Sequence, residues 1–356
     1  MQNQNTLDIS IIIACRNEEA HIQEFVQSLL SQAMGHLSWE AIIADGMSTD
    51  ATPAILAELS AKCPNLKVIP NPGRTVSKGL NAAIRMASGQ YILRMDAHTI
   101  YSSTYCMDCV TTLESTGADN AGGPARTRVE GLEASAIAAA YHSPFSTGGA
   151  KFHDPSYEGW VDTVTYGCWR REVFERIGMF DETLARNQDD EFNLRLVRSG
   201  GRIWQSPWIV SWYTPRSTIS SLFYQYFQYG FWKVFVIRKH RMPGSWRHLV
   251  PAMFVLTITT LPFAAAVSAL IGAEAVSVAM TMGWIALLLT YVSANLVASV
   301  LTANSNHNWR MLPLLPVAYA AFHFSYGSGF LMALIQSSIQ GKPTASGDSV
   351  FARITR

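Results

Sequence analysis

The 356-residue chain has almost no net charge, with 27 lysines and arginines against 26 aspartates and glutamates. Neutralising a polyanion takes a clustered excess of cations, so nucleic acid is not an expected partner. Cysteine is scarce and odd in number. Cys15, Cys63, Cys106, Cys109 and Cys168 are scattered, which argues against a disulfide framework and for free thiols in a reducing compartment. Cys106 and Cys109 have C-x-x-C spacing, but no second pair completes a zinc site, and three residues apart is also one helix face. No G-x-G-x-x-G follows an apolar strand, which argues against a dinucleotide oxidoreductase. The start, MQNQNTLDIS, lacks a basic stretch followed by an apolar run, so no cleavable signal is expected and the amino-terminal domain should stay cytosolic. The sharpest absence is local: from Leu249 to Gly341, 93 residues, only Glu274 and Arg310 are charged. A stretch that apolar points to membrane.

What is present before that stretch alternates short apolar runs with amphipathic ones, the pattern of strand and helix units around a buried parallel sheet. The run Ile9 to Ala14 predicts a strand ending at the polar Arg16-Asn17-Glu18-Glu19, and Ala20 to Gln32 has helical spacing. Trp39 to Ala44 predicts a second strand, ending at Asp45-Gly46. The next helix opens near Thr49, with Asp50 or Thr52 as its cap and Pro53 in its first turn. A short strand at Lys67 to Ile69, a helix at about Ser77 to Ala87 and a strand at Tyr91 to Met95 follow, the last running into Asp96-Ala97-His98. Polar clusters beyond strand carboxyl ends are expected to converge on one crevice.

After Ser217 an aromatic stretch, Leu222 to Lys233, leads to Arg238-Lys239-His240-Arg241. Rings followed by cations suit a helix lying in the headgroup layer, against the alternative of an ordinary buried helix. Apolar segments at roughly 249 to 271, 275 to 301 and 311 to 337 are each long enough to cross a bilayer. The third carries Pro313, Pro316 and His323 and is expected to be kinked, re-entrant or interfacial. Basic residues Arg238, Lys239, Arg241 and Arg247 ahead of the first segment are expected to put that flank, and the α/β domain before it, in the cytoplasm. The expected layout is a cytosolic α/β domain at 1–217, an interfacial helix and basic linker at 218–247, two to three membrane helices at 248–341 and a polar tail at 342–356.

Asp96 and His98, at i and i+2 by a strand end, point to the same side and can reach one divalent ion, with Mn2+ or Mg2+ the chemical match. Asp45 can accept hydrogen bonds from a base or ribose, or close an Asx turn. The acids Asp189, Asp190 and Glu191 open an apolar helix, where they complement its dipole.

The ordered set of Ile13 to Glu19, Ala44 to Asp50, Gly79 to Ile84, Met95 to His98 and the acidic cluster resembles the family 2 glycosyltransferases, and within them the succinoglycan-type exopolysaccharide glucosyltransferases. That resemblance implies a GT-A fold, a Rossmann-like and mostly parallel sheet. It also implies a nucleotide-diphosphate sugar donor such as UDP-glucose, a divalent ion and inversion at the anomeric carbon. By the same resemblance Ala14, Arg16 and Glu18 line the nucleoside pocket, and Asp45 binds the base. Asp96 and His98 take the D-x-D positions, His98 replacing the second acid. Lys78 or Arg74 would neutralise diphosphate. Asp189 inherits the general-base role, with Asp190 its rival and Gln188 a departure from the family's Glu. A Q-x-x-R-W element is matched in part by Gln228 and Trp232, with Phe231 in place of Arg, and Trp169 is either a sugar platform or core.

The expected reaction is direct displacement by an acceptor hydroxyl on a polyprenyl-diphosphate-linked saccharide, at the inner membrane and in contact with membrane lipid. A processive polysaccharide synthase, a polyprenyl-phosphate or lipid glycosyltransferase, and a membrane-anchored nucleotide-sugar sensor without turnover are the competing readings.

Overall fold

The computed structural model describes residues 7–340, so the polar tail at 342–356 lies outside the described residues. The chain gathers into two compact units. One takes the residues up to Arg128 together with Lys151–Thr214, and the other takes Val129–Ala150 together with the residues from Pro215 onward. Val129–Ala150, inside the segment 1–217, thus clusters with the helical unit.

In chain order the elements are β1 (Ile9–Cys15), α1 (Ile22–Leu30), β2 (Trp39–Asp45), α2 (Thr52–Lys62), β3 (Leu66–Pro70), α3 (Val76–Met86), β4 (Tyr91–Met95), β5 (Thr99–Tyr101), α4 (Tyr105–Thr116) and β6 (Asn120–Gly123). The second unit contributes α5 (Leu132–His142) and α6 (Pro144–Thr147). The first unit resumes with β7 (Gly159–Val161), β8 (Thr165–Arg170), α7 (Arg171–Ile177), α8 (Gln188–Arg198), β9 (Ile203–Gln205) and β10 (Ser211–Tyr213). The long helices α9 (Ile219–His240), α10 (Val250–Leu270), α11 (Glu274–Ser305) and α12 (Leu315–Gln340) complete the second.

The first unit is built on an eight-stranded sheet of order β3-β2-β1-β4-β8-β6-β9-β7. Strands β3, β2, β1 and β4 run parallel and β9 runs parallel to β6, so the sheet is mostly parallel as expected, and it is mixed because β8 runs antiparallel to both β4 and β6. Alternation along each strand feeds two cores. Ile9, Ile11 and Ile13 of β1, Ala41 and Ile43 of β2 and Leu93 of β4 pack on one face, with α1 and α4. Ile12, Ile42 and Ile92, their neighbours in sequence, pack on the other with α3, α7 and α8. Both faces being covered explains why these strands read as continuous apolar runs.

Register then fixes where the strands end. Cys15 pairs with Asp45, and Ile13 with Met95, so the residues following β1, β2 and β4 emerge at one edge of the sheet. With about 4.8 Å between neighbouring strands, the ends of β2 and β4 flank β1 at about 10 Å from each other. Helix α3 lies close over this edge because Gly79 has no side chain. A Cβ there would meet Asn71 Nδ2 at 2.8 Å and Ala14 Cβ at 3.0 Å.

In the second unit α9 starts at the Thr218 cap, whose hydroxyl accepts the Ser221 N–H at 3.2 Å. It packs along α12 through glycines. A Cβ on Gly230 would lie 2.0 Å from the Tyr326 carbonyl oxygen, and one on Gly329 equally close to that of Phe227. Small residues at a helix crossing let backbones approach as they do between membrane helices. Residues Gly230 to Val234 are all buried, so α9 is enclosed by protein at that level, and its exposed rings, Phe223 and Tyr224, lie in its first turns.

The third apolar segment forms a helix, α12, over Leu315–Gln340. Pro313 precedes it and Pro316 falls in its first turn, where the missing N–H has no intrahelical partner to lose. The segments Trp246–Leu270 and Glu274–Ser305 are long and apolar enough to cross a bilayer, and only 17% of each apolar window is buried. Large side chains such as Phe263, Leu270, Val278 and Leu289 stand exposed on them. A soluble helix does not leave such a surface in water, which associates this unit with membrane.

Candidate active site

The loops after β1 and β2 are stitched together by hydrogen bonds between their polar groups. The Asn17 N–H donates to Ser48 Oγ at 2.8 Å, the Glu18 N–H to Thr52 Oγ1 at 2.8 Å and the Glu19 N–H to Asp50 Oδ2 at 3.2 Å. In return the Thr49 N–H donates to Asn17 Oδ1 at 2.9 Å and the Ala51 N–H to Glu19 Oε2 at 2.9 Å. Asp50 Oδ1 also accepts the Thr52 N–H at 3.0 Å, but the residue at the cap position of α2 is Ala51, not Asp50 or Thr52 as expected. Of the seven non-glycine residues with positive φ among the described residues, five (Asn17, Met47, Arg74, Tyr166 and Asn187) fall in the loops after β1, β2 and β3, at β8 and just before α8. Backbone held in that region is characteristic of sites whose geometry is over-determined by their surroundings.

Four carboxylates meet at this edge. The Cys15 thiol, at the end of β1, is pushed up to about 12 by burial and then by the negative field of Asp45, Glu18, Asp50 and Asp96. His98 Nδ1 lies 2.8 Å from Asp96 Oδ1 and 3.6 Å from Glu18 Oε1. The backbone of Asp96 is fixed from below by Tyr101, whose hydroxyl oxygen accepts the Asp96 N–H at 2.7 Å. Tyr166 packs beside Tyr101 with ring centroids 5.9 Å apart, and its hydroxyl is hydrogen-bonded to Thr99 Oγ1. Burial and then the Asp96 charge hold the Tyr166 phenol well above its ordinary range, so it stays neutral.

Asp45 makes the turn contact, accepting the Ser48 N–H at 3.2 Å and the Ser48 hydroxyl. A carboxylate has about four lone-pair positions, so acceptor capacity remains for a base or ribose. Ala14 is half-buried at the β1 end, Glu18 is buried, and Arg16 is exposed with its stem against Gly46. Lys78, in the first turn of α3, runs its stem along Gly73.

Asp189 stands on the first turn of α8 beside Asp190. Its Oδ1 accepts the Asp190 N–H at 2.9 Å, and its Oδ2 lies 3.7 Å from Arg94 Nη1. Arg94 sits on β4 two residues before Asp96, which ties the acidic cluster to the same strand that ends in Asp96 and His98.

The other expected residues stand elsewhere. Trp169 is fully buried, edge-to-face with Phe174, Phe180 and Phe192 at 5.6–5.9 Å, so of its two readings the core one holds and it offers no face to a sugar. Gln228 and Trp232 lie in the second unit, both buried on α9. Arg94, Tyr101 and Tyr166 were missed by sequence reasoning. Arg94 did leave a signal, as the one charge inside the apolar run Tyr91 to Met95.

Among the described residues no three His, Cys, Asp or Glu side chains are arranged to hold one metal ion. The pair Asp96 and His98 nevertheless fits two adjacent coordination positions. Ligands about 2.1 Å from an ion and at right angles are about 3 Å apart, close to the 2.8 Å found here. The remaining positions of such a shell are commonly taken by substrate phosphates and water.

The family model "Glycosyl transferase family 2" matches residues 10–178. The chain is 31% identical to the succinoglycan biosynthesis protein ExoA of Rhizobium meliloti (strain 1021) over 328 residues, covering 91% of this chain and 94% of that protein. It is 28% identical over 256 residues to the dolichyl N-acetyl-alpha-D-glucosaminyl phosphate 3-beta-D-2,3-diacetamido-2,3-dideoxy-beta-D-glucuronosyltransferase of Methanococcus voltae, covering 70% of this chain and 79% of the relative. Among solved structures it resembles the mannosyltransferase PcManGT of Pyrobaculum calidifontis, in complex with GDP-Man and Mn2+, with a TM-score of 0.57, 17% identity and coverage of 92% and 88%. That likeness establishes the GT-A fold. With the 31% relative matched over nearly its whole length, the chain belongs to glycosyltransferase family 2.

Proposed function

We propose that the protein transfers a hexose, with inversion, from a nucleotide-diphosphate sugar, UDP-glucose, to a polyprenyl-diphosphate-linked saccharide in exopolysaccharide or cell-surface glycan synthesis. The observation that carries this reading is the meeting of Glu18, Asp96 and His98 at the sheet edge, with Asp189 tied to the same strand through Arg94. The names of the relatives, a succinoglycan biosynthesis protein and a transferase acting on a dolichyl-linked sugar phosphate, support an acceptor of this class.

In this reading Asp45 accepts hydrogen bonds from the base, Ala14, Arg16 and Glu18 bound the nucleoside, and Lys78 faces the diphosphate. A divalent ion, Mn2+ or Mg2+, held by Asp96 and His98 would neutralise charge on the departing nucleotide diphosphate. Asp189 takes the proton from the acceptor hydroxyl as that oxygen forms its bond to the anomeric carbon and the bond to diphosphate breaks. Asp190 serves the acceptor side. Two spans, α10 and α11, anchor the enzyme in the inner membrane with the GT-A unit in the cytoplasm, where a lipid-linked acceptor is within reach.

Membranes carrying the protein, given a panel of nucleotide sugars and lipid-linked acceptors with and without Mn2+ or Mg2+, test this. Label from UDP-glucose entering the lipid fraction only with added metal supports it. Transfer that survives EDTA rejects the metal assignment, and nucleotide binding without any transfer favours a sensor.

A further inference from the structure

Arg94 is a cation inside a strand. Its side chain is 8% exposed, and Nη1 is buried and makes no hydrogen bond. Taking a guanidinium out of water is strongly unfavourable unless an anion answers it, and the anion here is Asp189. The two partners are unequal, since the Asp189 side chain is 50% exposed. The cation therefore lies on the protein side of the carboxylate, leaving the solvent side of Asp189 open to an incoming hydroxyl. At 3.7 Å the contact is a charge attraction and not a hydrogen bond. With Oδ1 taken by the Asp190 N–H, it is Oδ2 that faces the cation. Arg94 is itself held in place: its guanidinium carbon lies 5.7 Å from the centroid of the Tyr166 ring, and Tyr166 is pinned by Thr99 and by a backbone of φ 60°.

We infer that Arg94 is a positioning residue for sugar transfer, one that fixes the direction of the Asp189 carboxylate against the acceptor oxygen. The inference rests on the reading of Asp189 as the base. A carboxylate on the first turn of a helix, bound at one oxygen only, can swing about its side-chain torsions. The fixed charge beneath the other oxygen removes that freedom, so Arg94 should act on the rate of the transfer step and not on donor binding.

The test uses the full-length protein in membranes, with kcat for sugar transfer and Kd for the nucleotide diphosphate as readouts. Arg94→Met keeps the apolar stem and removes the charge, Arg94→Lys keeps the charge and loses the planar head, and each is also made in an Asp189→Asn background. Arg94→Met should lower kcat by about 10²-fold, the scale of an angstrom-sized misplacement, with nucleotide Kd unchanged. Arg94→Lys should recover part of that loss, and neither substitution should reduce the residual rate of Asp189→Asn any further. If Arg94→Met lowers that residual rate by the same factor as in the wild type, Arg94 acts independently of Asp189, and the inference falls while the base assignment stands. If instead Asp189→Asn transfers at the wild-type rate, the base assignment itself is wrong. Should Arg94→Met fail to accumulate, Arg94→Lys decides alone: a lowered kcat with nucleotide binding intact supports the inference, and an unchanged kcat overturns it.

Discussion

The pairing of Arg94 with Asp189 makes an asymmetric prediction about stability. Two unit charges 3.7 Å apart attract by about 4 kcal/mol at an effective dielectric of 20 and by about 1 kcal/mol in bulk water. Arg94 is buried and Asp189 half-exposed, so their attraction lies between these limits. Removing the carboxylate strands a buried cation, the costly way to break such a pair. Asp189→Asn should therefore destabilise the protein by about 1–4 kcal/mol. Removing the cation leaves a half-exposed carboxylate that water can solvate, so Arg94→Met should cost less. In the double variant no charge is left stranded, and most of the loss caused by Asp189→Asn should be recovered. Thermal unfolding of the detergent-solubilised protein, followed by the fluorescence of its tryptophans, reads the wild type and all three variants. Each kcal/mol is worth about 2–4 °C in a domain of roughly this size. Equal losses for the two single variants, with additivity in the double, would refute the reasoning, because that is the signature of two side chains that do not interact.

Two further outcomes follow from the same structure. Trp169→Ala should cost about 3–5 kcal/mol by emptying the space among Phe174, Phe180 and Phe192, while the folded fraction keeps its acceptor KM. A sugar platform would show the reverse, a raised KM at nearly normal stability. Glu40 supplies an acid-dependent term. Burial pushes its carboxyl up, but bonds from Lys67, Ser88 and Ser10 outweigh this and bring it down to about 2. A depressed carboxylate stabilises the fold above its unfolded value near 4.5 and loses that contribution as pH falls toward 2. The term amounts to about 3 kcal/mol, so Glu40→Gln should flatten the acid limb of a melting-temperature against pH profile between pH 4.5 and 2. An unchanged acid limb would contradict it.

The sheet edge was legible because its strands are short, largely apolar runs that end abruptly in polar residues. Ile9 to Ala14, Trp39 to Ala44 and Tyr91 to Met95 appear within one residue of their expected limits. Asp96, His98 and Glu18 come together because parallel register carries the chain to one edge each time. Periodicity could not show that β8 inserts antiparallel between β4 and β6, since partner choice depends on topology and not on the strand's own pattern. Trp169 stayed ambiguous because a buried indole and a sugar platform look alike in sequence, and only its neighbours distinguish them. The contact between Arg94 and Asp189 joins residues 95 positions apart, beyond any local pattern. The interlocking of Asn17, Glu18 and Glu19 with Ser48, Asp50 and Thr52 was hidden in the same way, across about 30 residues of chain.

The proposed transfer depends most directly on Asp189. Incorporation of labelled glucose from UDP-glucose into the lipid-linked fraction should be compared for wild-type and Asp189→Asn membranes, alongside nucleotide binding to each. Loss of a positioned base predicts a fall in transfer of about 10²–10⁴-fold with nucleotide binding retained. Incorporation by Asp189→Asn at the wild-type rate would contradict the account.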